Sequence, residues 1–160
     1  RGCGWKCTFC SAPAFYKLRY RSIENVMEEL KWIRNSLGIL EVKFYDNVFT
    51  APRHRTIRLL NRMIEENIDL TWNCNTRADM LDEEIVKLMK KAGCVSMALG
   101  IESANQRILD LIKKQLNKEI VMKTCKLISE VGIETTGFFM IGFPTETKEE
   151  IKKKAKDLFG

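Results

Sequence analysis

The stretch Asp82-Glu-Glu-Ile-Val-Lys-Leu-Met-Lys-Lys-Ala-Gly-Cys-Val-Ser-Met-Ala-Leu-Gly-Ile-Glu-Ser103 contains a helix, its stop and a strand. Asp82 suits an N-cap, and Glu83 and Glu84 place negative charge in the first turn, where the helix dipole favours it. Ile85, Leu88, Met89 and Ala92 share one helical face, and Gly93 is the stop. Val95 to Ile101 is an apolar run of strand length. It ends abruptly on two polar residues, Glu102 and Ser103.

The same unit recurs on both sides. Upstream, Ser22 reads as a cap with Glu24 behind it. Ile23, Val26, Met27, Leu30, Ile33 and Leu37 follow helical spacing as far as Gly38. Residues 39–45 form a strand ending in Asp46 and Asn47. A helix follows from about Pro52, with Ile57, Leu60, Ile64 and Ile68 as its buried stripe. Residues 70–74 are a strand running into Asn75 and Arg77. Downstream, residues 108–112 and 120–131 make a broken or paired helix, capped in its second part by Asn117 and stopped by Gly132. Residues 133–141 are a strand ending in Gly142 and Pro144. Thr147 and Glu150 have capping-box spacing and open a last helix.

A loop and helix are thus followed by four strand–helix units of roughly 30 residues, the size of a βαβ step. Such alternation implies parallel strands, right-handed crossovers and outer helices, an α/β fold. Four units are too few to close an eight-stranded barrel.

The 160 residues suffice for one domain, and 45% hydrophobic with 30% charged residues is ordinary for a globular protein. No apolar run reaches membrane-spanning length, and no signal peptide precedes the first loop. The chain begins at Arg1 inside what reads as a functional loop, so its natural start is expected upstream. The net charge of +6 includes Lys6, Lys17, Arg19 and Arg21 near the start. That cluster admits a nucleic-acid partner, whereas the lysines along the helices read as a solvated surface. His54 stands among arginines and reads as solvated. Met80, Met89, Met97 and Met140 read as core fillers.

Of six cysteines, Cys74, Cys94 and Cys125 lie in apolar segments and read as buried thiols. Cys3, Cys7 and Cys10 stand at C-x3-C-x2-C spacing, short enough to turn their sulfurs toward a common point. This distribution suits a reducing cytoplasm better than a secreted scaffold. Three thiolates are one ligand short of a closed zinc site. They suffice to hold a 4Fe–4S cluster by three corners, leaving one iron open to a small molecule. The loop alone also admits a redox loop, a zinc knuckle or a disulfide cluster.

In parallel α/β folds ligands gather at the carboxyl ends of strands. Here those ends carry Asp46 and Asn47, Asn75 and Arg77, Glu102 and Ser103, and the bare backbone around Gly142. Each has a plainer reading: Asp46 and Asn47 as a turn, and Arg77 as a partner of Asp79 or Glu102. Glu102 ends an apolar strand, where an unpaired carboxylate is costly, and this favours a ligand role.

Together these segments resemble the radical S-adenosylmethionine (SAM) enzymes. The cysteine loop, with Phe9 before its last cysteine, is similar to their cluster loop, with Gly4 where proline is common. Phe44-Tyr-Asp-Asn-Val-Phe-Thr50 resembles F-x-D-D-x-F-T, with Asn47 in place of the second aspartate. Leu99-Gly-Ile-Glu-Ser-Ala-Asn-Gln106 resembles G-I-E-S-G-S-Q, departing at Ala104 and Asn105. Phe139-Met-Ile-Gly-Phe-Pro-Thr-Glu-Thr147 resembles F-M-I-G-x-P-G-E-T, with Thr145 in place of glycine.

The resemblance implies a partial (β/α)6 TIM-like barrel, with a first strand before Arg1 and at least one unit after Gly160. It implies that Cys3, Cys7 and Cys10 ligate a 4Fe–4S cluster whose open iron chelates SAM, reductively cleaved to a 5′-deoxyadenosyl radical. Phe9 and the backbone of Ile141 and Gly142 would face the adenine. Asp46 would lie near the methionine or substrate end, and Glu102 and Ser103 near the ribose or amino-acid part. Arg77 joins this cofactor-binding set from the second strand end. The pattern is most similar to the group that often carries an upstream cobalamin-binding domain, absent from these residues. The expected activity is a cobalamin-linked methyltransferase acting on a small molecule and supplied by a reductant protein such as flavodoxin or ferredoxin. The second reading is an RNA-modifying methylthiotransferase-like enzyme. The third is a non-catalytic iron–sulfur electron-transfer protein.

Overall fold

The computed structural model describes residues 2–152. Strands β1 (Glu41–Phe44), β2 (Thr71–Thr76), β3 (Cys94–Glu102) and β4 (Glu134–Phe139) form one parallel sheet in that order. Helices α2 (Ile23–Ser36), α3 (Arg53–Glu65), α4 (Glu83–Lys91) and α6 (Lys118–Glu130) pack side by side in chain order. Two short helices, α1 (Ala12–Phe15) and α5 (Gln106–Leu111), lie in the loops. A doubly wound sheet reverses its strand order and carries helices on both faces. This order never reverses, so the sheet is an arc of a barrel with its helices outside.

The expected caps form. Asn25 N donates to Ser22 Oγ at 3.1 Å, Ile85 N to Asp82 Oδ1 at 2.9 Å and Ile120 N to Asn117 Oδ1 at 2.8 Å. Thr147 and Glu150 make a reciprocal capping box, each backbone N–H bonding the other's side chain at 2.8 and 3.2 Å.

Strand limits differ where hydrophobicity and pairing diverge. Ile39 begins an apolar run, yet its N–H closes the end of α2 on Ile33 O, so β1 starts later. Met140 and Ile141 continue the apolar run of β4 but are exposed beyond its last paired residue. Met140 therefore fills no core gap, while Met27, Met63, Met89 and Met97 do. The buried stripe of α3 is Thr56, Leu59, Leu60 and Met63, with Ile57 and Ile64 at its margin.

The two sheet faces differ. Trp72, Cys74, Met97, Leu99 and Ile101 pack against the helices, and the Trp72 indole donates to Ala92 O at 2.6 Å. The opposite face carries Asn73, Asn75, Ser96, Ala98 and Gly100, all half-buried and small or polar. Gly93 turns the chain from α4 into β3 at φ +94, where an added Cβ would lie 2.3 Å from Leu70 O. Gly93→Ala is expected to cost about 1–3 kcal/mol from backbone conformation alone, with the clash in addition. A urea titration reads it.

Candidate functional site

The cysteine loop is held at three points. Gly2, at φ +91, packs so closely on Lys17 that a Cβ would sit 2.8 Å from its carbonyl oxygen. Thr8 N donates to Ile112 O at 3.0 Å, tying the loop to the end of α5. Phe9 sets its ring edge-on to Phe143, centroids 5.7 Å apart, in a second apolar cluster with Ile108, Leu109 and Ile112. Thus Phe9, expected near an adenine, joins the cysteine loop to the β4 loop.

Cys3, Cys7 and Cys10 are free thiols, half-buried or exposed. Burial pushes the Cys7 thiol up, the Lys114 and Arg77 cations pull it back, and Cys10 and Cys3 raise it. Among the described residues no three His, Cys, Asp or Glu side chains are gathered to grip a single ion. A mononuclear zinc site needs every sulfur about 2.3 Å from one centre. A cubane takes each cysteine on a different iron, so its ligands stand apart. The donor set, three thiols on one pinned loop that are each at least partly exposed, fits a cubane held at three corners.

Glu102 lies beside this loop at the end of β3, at φ +69, a left-handed conformation costly for a residue with a side chain. Its carboxylate is buried and accepts from Lys114 Nζ at 3.1 Å. Gly100 leaves the necessary space, since a Cβ there would fall 2.7 Å from Glu102 Oε1 and 3.0 Å from Lys114 Nζ. Lys114 also stands 6.0 Å from the Phe9 ring centre. Lys114 does not stand out in the sequence, because it follows Lys113 in a polar link between helices. It lies twelve residues after Glu102, and the α5 turn folds it back onto the strand end.

Arg77 is buried, paired with Asp79 at 2.9 and 2.7 Å, and donates to Lys114 O at 2.7 Å. Of the two partners weighed from sequence, Asp79 is the one it takes. Its guanidinium also lies 4.8 Å from the Trp5 ring centre, within the cysteine loop. Ser103 is buried, and its hydroxyl accepts from Asn105 N at 3.2 Å. Asp46 lies half-buried at the end of β1, in a groove shared with Tyr20 and Arg55. Burial pushes the Tyr20 hydroxyl up, Arg55 pulls it back, and Asp46 and Cys3 raise it.

Ile141 is exposed, and Gly142, at φ +88, gives its N–H to Glu146 Oε2 at 2.7 Å. The Gly142 amide is thereby engaged within the loop itself. Thr145, which replaces a glycine, adopts φ +66, where glycine is favoured. Arg107 holds this corner through Thr145 Oγ1 at 3.1 Å and Thr145 O at 2.9 Å. It is in turn gripped by Glu150 at 2.9 and 2.7 Å, and Asn105 Nδ2 donates to the same carboxylate at 2.8 Å. The departures at Asn105 and Thr145 therefore belong to one brace. The Arg107 hydrogen bond, then that from Thr147 N, pulls the Glu150 carboxyl down from 4.5 to about 2.

A depressed carboxylate stabilises the fold fully above its unfolded value and loses that contribution as pH falls through its folded one. The brace should therefore be intact above pH 4.5 and fail toward pH 2. An acid titration of Arg107→Ala against the parent should show the difference between them vanish in that window.

The Radical SAM superfamily model matches residues 1–158. An uncharacterized methyltransferase of Pyrococcus horikoshii, PH0819, is 37% identical over 158 residues, covering 98% of this chain and 34% of the relative. The cytidylyl-2-hydroxyethylphosphonate methyltransferase of Streptomyces wedmorensis is 35% identical over 147 residues, covering 90% of this chain and 28% of the relative. The chain thus spans about a third of the length of these relatives. In fold it is similar to the radical SAM methyltransferase TsrM of Kitasatospora setae, with a TM-score of 0.91 at 23% identity, covering 98% of this chain and 32% of that one. The family uses a 4Fe–4S cluster and SAM. With the match running over nearly every residue, the chain belongs to the Radical SAM superfamily.

Proposed function

We propose that this chain is the core of a radical SAM methyltransferase that works with cobalamin bound by another part of the same protein. The observation that carries this reading is the convergence of the three-cysteine loop, Glu102, Lys114 and the β4 loop at one end of a singly wound parallel sheet. Methyltransferase names among the relatives, and TsrM solved with cobalamin and a cluster, support the finer assignment.

Cys3, Cys7 and Cys10 would hold the cluster, and their partial exposure leaves the remaining iron reachable by SAM. When bound, the pair supplies an electron and a sulfonium whose cleavage gives a 5′-deoxyadenosyl radical. Lys114 offers an ammonium to a carboxylate, and Glu102 offers a carboxylate to ribose hydroxyls or an ammonium, both without large solvent reorganisation because both are buried. Ser103 holds the turn after Glu102, and Arg77 fixes the Lys114 backbone. Ile141 and Gly142 would wall the adenine with the side chain and the carbonyl groups, since the Gly142 N–H is taken. Asp46, half-buried at the end of β1, would act toward the methionine or substrate end. The small residues Ser96 and Ala98 leave room above the sheet for a substrate.

Anaerobic reconstitution followed by SAM and dithionite tests the reading. Formation of 5′-deoxyadenosine or transfer of the SAM methyl group to cobalamin supports it. A reduced cluster that leaves SAM intact and transfers no methyl group identifies an electron carrier instead.

The groove lined by Val26, Leu30, Ile33, Val42 and Phe44, with a cavity volume of about 390 Å³, opens beside β1. It fits a further parallel strand entering ahead of the cysteine loop, and the exposed β4 fits one following. Expression of residues 1–160 alone should give self-associating protein, because free edges template pairing. Extension at both ends should restore a monodisperse species in sedimentation. A monodisperse, fully active 160-residue monomer contradicts this.

A further inference from the structure

We propose that Arg77 is a positioning residue for the cluster, holding the first half of the cysteine loop in shape through Trp5 and setting a positive charge beneath it. The inference rests on the cluster assignment made above. Three observations carry it.

The first is placement. Trp5 lies between Cys3 and Cys7 in sequence, and the Arg77 guanidinium stands 4.8 Å from its ring centre. The second half of the loop has its own anchors, Thr8 on Ile112 and Phe9 on Phe143. Arg77 supplies a side-chain anchor to the stretch between the first two ligands. The second is immobility. Arg77 is 3% exposed, and its nitrogens are fixed by both Asp79 oxygens and by Lys114 O. A guanidinium held in one plane gives an aromatic ring a fixed face to rest on, which a flexible ammonium does not. The third is charge. Arg77, 4.8 Å from the Trp5 ring centre, and Lys114, 6.0 Å from the Phe9 ring centre, are buried cations set against the loop on either side of Cys7. Asp79, the partner of Arg77, is the more solvated member of its pair, so water screens its charge more than that of the guanidinium.

The arrangement has two separable consequences. The stack limits the conformations of the loop before metal arrives, so iron is retained more tightly. The positive charge stabilises the reduced cluster, which carries one more negative charge, and so raises its potential. Removal of the guanidinium also leaves the Asp79 carboxylate uncompensated, which acts in the same direction.

The test uses the full-length protein after anaerobic reconstitution, with iron retention against a chelator and the midpoint potential as readouts. Trp5→Ala should weaken iron retention about two- to thirtyfold, the range for loss of one cation–π contact. Trp5→Phe should stay near the parent. Arg77→Lys should weaken retention but keep the potential close to the parent value. Arg77→Gln should weaken retention and make the potential more negative. If Arg77→Gln does not fold, the Trp5 pair decides: equal iron retention in Trp5→Ala and the parent overturns the proposal. An Arg77→Gln protein with parental potential and retention overturns it equally. A parent that takes up no cluster overturns the cluster assignment and this inference together, a result distinct from the other two.

Discussion

Serine at Cys3, Cys7 or Cys10 should reduce bound iron from about four per chain, the content of one cubane, to near zero. The three thiols lie on a loop pinned at Gly2, Thr8 and Phe9, so no other sulfur can move into a vacated corner. Cys74 and Cys94 are buried between the sheet and its helices, in contact with each other, and the Cys94 thiol donates to Ser96 O at 3.5 Å. Cys125 is half-buried on α6. Alanine at any of these three should leave iron content unchanged and alter only stability. Iron and acid-labile sulfide assays read the outcome. A requirement for Cys74, Cys94 or Cys125 equal to that for Cys3 would falsify the ligand assignment.

The second large effect is expected at Glu102. Read from sequence, Glu102→Ala is a change in ligand binding alone. The buried Lys114 partner makes it also a change in stability, since removing one member of a buried ion pair strands the other. The expected cost is about 3–5 kcal/mol in urea unfolding. Loss of a charge-assisted hydrogen bond to SAM adds about 1.5–3 kcal/mol in affinity, roughly tenfold to a hundredfold. The two are separated by Glu102→Ala with Lys114→Met, which removes both charges. That double variant should recover most of the stability and none of the SAM affinity. Recovery of SAM affinity along with stability would return the pair to a purely structural role.

The architecture was legible because its signals are local. Ser22, Asp82, Asn117 and the Thr147–Glu150 box each satisfy backbone groups within four residues, and each forms as spaced. The alternation of Cys74 against Asn73 and Asn75, and of Met97 and Leu99 against Ser96 and Ala98, already distinguishes the two sheet faces. The cysteine loop and Glu102 were legible for a different reason, since their residue types are costly without a partner.

What escaped the sequence is what the chain brings together over distance. Lys114 reaches Glu102 only because α5 reverses the chain, and nothing in Lys113-Lys114 marks which lysine is buried. The Trp5–Arg77 stack joins the loop to the second strand end, and the Arg107 brace joins α5 to the β4 loop. The strained Thr145 reads as a departure from pattern until Arg107 is seen holding it. The edges of β1 and β4 misled in the other direction, because Ile39, Met140 and Ile141 are apolar yet exposed outside the strands.

The account turns on one iron of the cluster being open to SAM. The direct measurement is an electron–nuclear double-resonance spectrum of the reduced, reconstituted protein with SAM labelled at its amino nitrogen and carboxylate oxygens. A coupling to those labels, lost when unlabelled SAM displaces the labelled ligand, is the predicted result. A spectrum identical with and without SAM would contradict the account.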